Sequence, residues 1–294
     1  MRRTCPTPCA AGLAVVAALV VSTTACGDDG ALSSGNGSAA TTAPGTVPPS
    51  TAVPGGIGVQ HPLGAEDVVV SIGYEGGFVP VGVAFANLPS LLVTGDGTAI
   101  VTGPQIAIYP GPLLPNLQQG RLDEATIQDL LRSADEHGLL APVEYARTDL
   151  IADASDAVVH IEANGGRFEH RAYALGLEEE TDPPRAALQA FVQEATAIAD
   201  EALAAAPTTP YVSDSFLVQA RPATAAELGD EIEPTVVPWP ASLGVRLATA
   251  DFCAAIPWAD GERLFADATQ ATLFDDGGTT YQLTVVPRLP GRQC

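Results

Sequence analysis

Lysine is absent from this chain, and all 13 basic residues are arginine. That absence removes the Schiff-base nucleophile, the pyridoxal-phosphate anchor and the phosphate-binding lysine of a P-loop. Positive charge is scarce altogether: 13 arginines face 35 acidic residues in 294, a formal net charge of −22. Nucleic-acid binding needs clustered cations to neutralise phosphates, so this balance argues against it. It argues equally against docking on anionic headgroups through a basic patch. Several catalytic signatures are missing too. There is no G-x-S-x-G elbow, no G-x-G-x-x-G phosphate loop and no complete calcium loop. What is present, 46% hydrophobic and 16% charged residues, suits a globular domain. The length allows one large domain or two small ones.

The first residues have the three-part layout of a secretory leader. Arg2 and Arg3 are the positive region, Ala10 to Val21 the apolar run, and Thr23, Thr24, Ala25 and Cys26 the small-residue end. At the usual helical rise the apolar run covers only about 18 Å of a hydrocarbon core of about 30 Å. It is too short to remain as a membrane span. Ala25 and Cys26 match the last two positions of the lipobox, and in this the sequence resembles bacterial lipoproteins; Thr23 departs from the usual leucine. The resemblance implies cleavage before Cys26, a diacylglyceryl group on its thiol, and a further fatty chain such as palmitate on the new amine. Several chains together anchor stably, since each buried methylene contributes about 0.8 kcal/mol. The plain alternative is ordinary cleavage after Ala25.

The remaining cysteines fit an exported protein. Of the five, Cys5 and Cys9 leave with the leader and Cys26 takes the lipid, leaving Cys253 and Cys294. An oxidising compartment permits a bridge between these two, which would pin the C-terminus; two free thiols are the alternative. Neither case leaves a catalytic thiol or a cysteine zinc site.

Residues 26–65 are rich in Ser, Thr, Ala, Gly and Pro and read as a lipidated cysteine followed by a flexible tether. From Glu66 the pattern changes. Val68 to Ile72 is a β-branched run, and Gly95-Asp96-Gly97 reads as a hairpin turn. Ile106 to Tyr109 suggests a further strand. A helix is expected after an Asp123 cap, stapled by Leu122 and Ile127 and stopped at Gly138. The order recurs: a hairpin around Asn164-Gly165, then a helix from Asp182-Pro183. A strand over Ser215 to Ala220, a helix after Asp260 and strands around Asp275-Asp276 complete the pattern. The fold class is α+β, antiparallel hairpins with packed helices. The boundaries are 1–25 for the signal peptide, 26–65 for the tether, 66–206 for a hairpin-helix domain and 207–294 for a disulfide-closed lobe. One continuous domain over 66–294 is the alternative.

The metal candidates are His160, Glu162 and His170, proper zinc ligand types on one hairpin. Register decides whether they meet. With Asn164-Gly165 as a two-residue turn, Ile161 faces Phe168 and Glu162 faces Arg167. His160 then faces Glu169, and His170 points to the apolar side. That register is physically better than the three-residue loop that would join the histidines, so no metal or cofactor is assigned. His137 suits the C-terminal end of its helix. Glu178 to Glu180 reads as a solvated charge cluster. The proline-stiffened segment bearing Tyr109, Leu113, Leu114 and Leu117 is a possible interaction loop, unless its leucines pack down over a sheet edge.

Together these observations describe a lipid-anchored lipoprotein on the extracytoplasmic face of the cell membrane. Its ectodomain is similar to uncharacterised lipoproteins of GC-rich Gram-positive bacteria, and that resemblance carries no catalytic residue. A binding module for an envelope protein or a small molecule is the first expectation. A secreted envelope hydrolase with a dispersed active site is the second. A deep pocket joining a histidine to carboxylates would favour the enzyme, and a flat apolar patch around Leu113 and Leu114 the binder.

Overall fold

The β-branched run opens strand β1 (Val68–Gly76), and the larger sheet is built outward from it. On one side β1 pairs with β2 (Leu91–Thr94), which continues through β3 (Thr98–Thr102) and β4 (Leu117–Arg121). On the other side it pairs with β5 (Ser155–Ala163), which pairs with β6 (Gly166–Tyr173). With β7 (Thr209–Pro210) at the far edge, the order is β6-β5-β1-β2-β3-β4-β7, antiparallel throughout. The computed structural model describes residues 58–79, 82–147, 151–229 and 231–294. The fold is α+β, as the hairpin-helix pattern predicts. The leader, Cys26 and most of the tether lie outside the described residues.

Local signals set the elements. Asn164 (φ 52) and Gly165 (φ 74) both take left-handed backbone, the geometry of a two-residue hairpin turn. This fixes the register as Ile161 opposite Phe168, Glu162 opposite Arg167 and His160 opposite Glu169. Helix α2 (Glu124–Glu136) starts where the Asp123 carboxylate accepts the Thr126 amide. It stops where Gly138 (φ 73) lets the Leu139 amide reach the Ala134 carbonyl at 2.8 Å. Helix α3 (Pro183–Ala204) begins with proline, whose missing N–H costs nothing there.

Both helices cover one face of the large sheet. Val70, Ile72, Leu91, Val93, Val159 and Ile161 point to that face and meet Leu130, Leu131, Leu188 and Phe191 in one buried cluster. The two hairpin-helix units therefore share a single sheet and core. The intervening residues point the other way. Over β2, β3 and β4 they include Leu92, Ile100 and Leu117, which are buried against Leu289 from the C-terminal segment, with Gln119 and Arg121 further along β4. Over β5 and β6 they are His160, Glu162, Arg167 and Glu169, which face solvent.

A second, five-stranded sheet runs β10-β8-β12-β11-β9. It comprises β8 (Ser215–Pro222), β9 (Thr235–Pro238), β10 (Ala254–Pro257), β11 (Thr272–Asp275) and β12 (Thr280–Pro287), and only β9–β11 is parallel. Helix α4 (Trp258–Phe265) covers it, with Phe216 stacked on Trp258 at 4.3 Å and edge-on to Phe265. Cys253 and Cys294 form a disulfide, with Cα atoms 5.4 Å apart.

The structure corrects several expectations. Ile106 to Tyr109 is not a strand: β4 takes the pairing slot beside β3, leaving that segment without a ladder. Of the possible interaction residues, Leu117 is buried against Leu92, Ile100 and Leu289, and Leu113 and Leu114 pack onto the second core, which is the packed-down alternative. Tyr109 stays 62% exposed. Glu180 leaves the solvated cluster for a bidentate pair with Arg185 at 2.6 and 2.7 Å, both side chains buried. The Ala146 and Tyr173 carbonyls accept the two Nη1 hydrogens, which makes the burial of the guanidinium tolerable. The folded body also starts before Glu66: Val59 packs on the main core, and Gln60 bonds Asn164. Strand β7 belongs to the first sheet, and Gly55–Cys294 forms one compact unit.

Phe191→Ala should cost about 3–5 kcal/mol in urea unfolding, because it opens a cavity in a closed core. Leu63→Ala, at a 74% exposed site, should stay within about 0.5 kcal/mol. The loop closed by the disulfide spans 41 residues, so Cys294→Ser should lose about 4 kcal/mol of stability.

Candidate functional site

The boundary between the apolar and charged halves of the outer sheet face is a cleft of about 780 Å³. Its floor is β1 and β5, where Ser71 and His160 are cross-strand partners. One wall is the C-terminal strap, Leu289 to Arg292, and another is the segment around Ala84, Asn87 and Pro89. That segment contains the short helix α1 (Val83–Ala86). Glu66, Asp67, Glu75 and Glu162 supply carboxylates to the lining.

Most of these charges are matched. Glu66 and Asp214 share Arg288, which bonds the first at 2.9 Å and the second at 2.8 Å. The shared guanidinium holds Asp214 down at about 2. Glu75 bonds Arg171, and Glu162 bonds Arg167. Arg292 differs. It donates to the Phe85 and Asn87 carbonyls, and lies 5.2 Å over the Phe85 ring. Among the described residues no carboxylate lies within 4.0 Å of it. Burial pushes its guanidinium below the ordinary value. It is the cation in the cleft wall best able to meet an incoming anion.

Ser71, His160 and Glu169 form a row across β1, β5 and β6, with His160 Nδ1 3.8 Å from the Glu169 carboxylate. The residue types are those of a hydrolytic triad. The geometry is less suited to one. Ser71 sits mid-strand between two ladder partners, so neighbouring amides on β1 are used in the sheet instead of forming an oxyanion hole. His160 is 48% exposed, and 3.8 Å exceeds a hydrogen bond. The cleft does join a histidine to carboxylates, but shallowly.

The three candidate metal residues stand on opposite faces of the sheet, in the register of the two-residue turn. His160 and Glu162 stand on the outer face, while His170 is fully buried on the helix face. Among the described residues no group of three His, Cys, Asp or Glu side chains is placed to hold an ion. His170 is structural: Nε2 donates to the Leu139 carbonyl, and Nδ1 accepts from the Tyr145 hydroxyl, each at 2.8 Å. Burial drives its pKa down and pushes the Tyr145 hydroxyl up to about 12. His137 caps α2 and bonds Glu194 at 3.0 Å.

Sequence reasoning missed the strap, Ser71 and Arg292. Their only local signal was the expected Cys253–Cys294 bridge, which implied that the C-terminus is held somewhere. No protein-family model, curated protein or solved structure matches the chain.

Because the folded state keeps His170 neutral, its contribution is full above the unfolded pKa of about 6.5 and falls as pH drops below it. Melting temperature should therefore decline between about pH 7 and pH 5, and His170→Gln should flatten that part of the profile.

Proposed function

We propose that the protein is a lipid-anchored lipoprotein of the cell envelope whose ectodomain binds a small molecule in the cleft. The anchor reading draws on the leader ending in Ala25 and Cys26. The binding reading rests on one observation: a cleft walled by the strap, with apolar Leu92 and Leu289 beside Arg292, which meets no carboxylate among the described residues. That combination suits a small organic acid or a peptide end, with its anionic group on Arg292 and its apolar part on the leucines. Secreted hydrolase is the second reading, favoured by the Ser71–His160–Glu169 row. A fluorophosphonate probe labelling wild type but not Ser71→Ala would establish it.

Two measurements test the first reading. Labelled palmitate should enter the wild-type protein and not Cys26→Ala; an unmodified N-terminus with release into the medium would contradict the anchor. A thermal-shift panel of amino acids, short peptides and carboxylic acids tests the cleft. At least one member should raise the wild-type melting temperature by about 5 °C at a hundredfold excess over Kd. Ser71→Trp, which fills the floor, should abolish that gain. No gain in the wild type would count against the cleft as a ligand site.

A further inference from the structure

We propose that the cleft takes an extended peptide of about six residues with both ends free, its carboxylate on Arg292 and its amine on Asp67. This deepens the small-molecule reading of the cleft and rests on it. Length is the first argument. The lining follows β1 from Glu66 and Asp67, through Val68 and Ser71, to Glu75 and Gly76. The cleft is therefore a trough along a strand, with the strap as one wall. The Arg292 guanidinium is held toward the far end of that trough. Asn87, whose carbonyl it bonds, donates to the Tyr74 carbonyl, and Pro89 lies against Gly73. Asp67 stands at the near end, six positions before Gly73. At about 3.3 Å per residue the two ends are about 20 Å apart, the length of an extended chain of about six residues. A single amino acid or a small carboxylic acid reaches only one of them.

Charge is the second. Of the four carboxylates in the lining, Glu66, Glu75 and Glu162 are each paired with an arginine. Among the described residues Asp67 has no arginine or histidine nitrogen within 4.0 Å. Its bond from the Gly64 amide uses one oxygen and leaves the other. Arg292 is the complementary case. Of the five N–H groups of a guanidinium, it spends two on the Phe85 and Asn87 carbonyls. The remaining three can take a carboxylate. A cation without a carboxylate at one end, and a carboxylate without a cation at the other, match a zwitterion. A simple acid is opposed by its surroundings, since the lining holds four carboxylates to two arginines in a chain of net charge −22.

Main-chain groups are the third. Among the described residues the Gly291 amide and the Pro290 carbonyl make no hydrogen bond within the protein. Gly291 passes beside β1, where an added Cβ would stand 3.5 Å from a Val68 methyl. A peptide lying along the strap can pair with such groups whatever its side chains are. Leu92, Leu289 and Val68, packed together at the same wall, favour apolar side chains in its middle.

The test is selection from a random hexapeptide library with free ends on the full-length protein in detergent, read by mass spectrometry. Enriched sequences should be apolar at their centre. The best of them is then made with its carboxylate amidated or its amine acetylated, and titrated by calorimetry. Each blocked end should weaken binding about tenfold, as the loss of a charged hydrogen bond does. Amidation should cost nothing further in Arg292→Gln, nor acetylation in Asp67→Asn. The blocked peptides change only the ligand, so they decide the matter even if Arg292→Gln disturbs the strap. Binding indifferent to both end groups overturns the proposal, and so does an end-group dependence that both substitutions leave intact. Failure to enrich any hexapeptide, while a carboxylic acid from the thermal-shift panel binds, overturns it and leaves the cleft reading standing. If neither peptides nor acids bind, both readings fall.

Discussion

Strands β2 and β3 alternate two apolar faces, and both must be removed from water. Val93 and Ala99 point to the helices, Leu92 and Ile100 away from them. Helices α2 and α3 cover the first face. Covering the second requires the chain to return across the sheet near its end, where Leu289 fills the space. That return is held by direct bonds. Arg288 bridges Glu66 and Asp214, the Tyr211 hydroxyl donates to the Arg288 carbonyl, and Arg292 bonds carbonyls beside α1. The disulfide closes the end. Entropy favours this arrangement as well, because a cross-linked terminus has less freedom to lose when it docks.

The cleft is a by-product of that constraint. The outer sheet face carries the buried leucine and isoleucine cluster over β2 to β4 and mainly charged side chains over β5 and β6, and the strap covers the apolar cluster. Where cover ends, leucines and ion-paired carboxylates lie side by side along the strap. Such a boundary is suited to a ligand with a polar and an apolar end. It is less suited to hydrolysis, since a serine in a central strand has neighbouring amides already engaged with other strands. The interior polar groups behave differently again. His170 and the Arg185–Glu180 pair are buried with their hydrogen bonds met and so serve the fold.

Much of the local architecture was legible in the sequence. Asp123 and Gly138 marked the ends of α2, and Asn164-Gly165 fixed a register that separated His170 from His160. These features depend on residues a few positions apart, where turn and cap chemistry is strong. What escaped was non-local. Arg288 and Glu66 are 222 positions apart, and Arg292 and Phe85 207. Ile106 to Tyr109 had the composition of a strand but lost its pairing slot to Leu117–Arg121, whose glutamines and glycine gave little strand signal. Glu180 looked solvated because nothing near it in sequence shows that Arg185 turns inward toward carbonyls from Ala146 and Tyr173.

Amide hydrogen exchange of the oxidised protein against Cys294→Ser tests most directly whether the strap holds the outer face and shapes the cleft. The account predicts that freeing the terminus speeds exchange in 287–293, in the segment around Asn87 and at the cleft floor. Amides of α2 and α3 should keep their protection. Uniform loss across both faces, or unchanged protection at the strap, would contradict it.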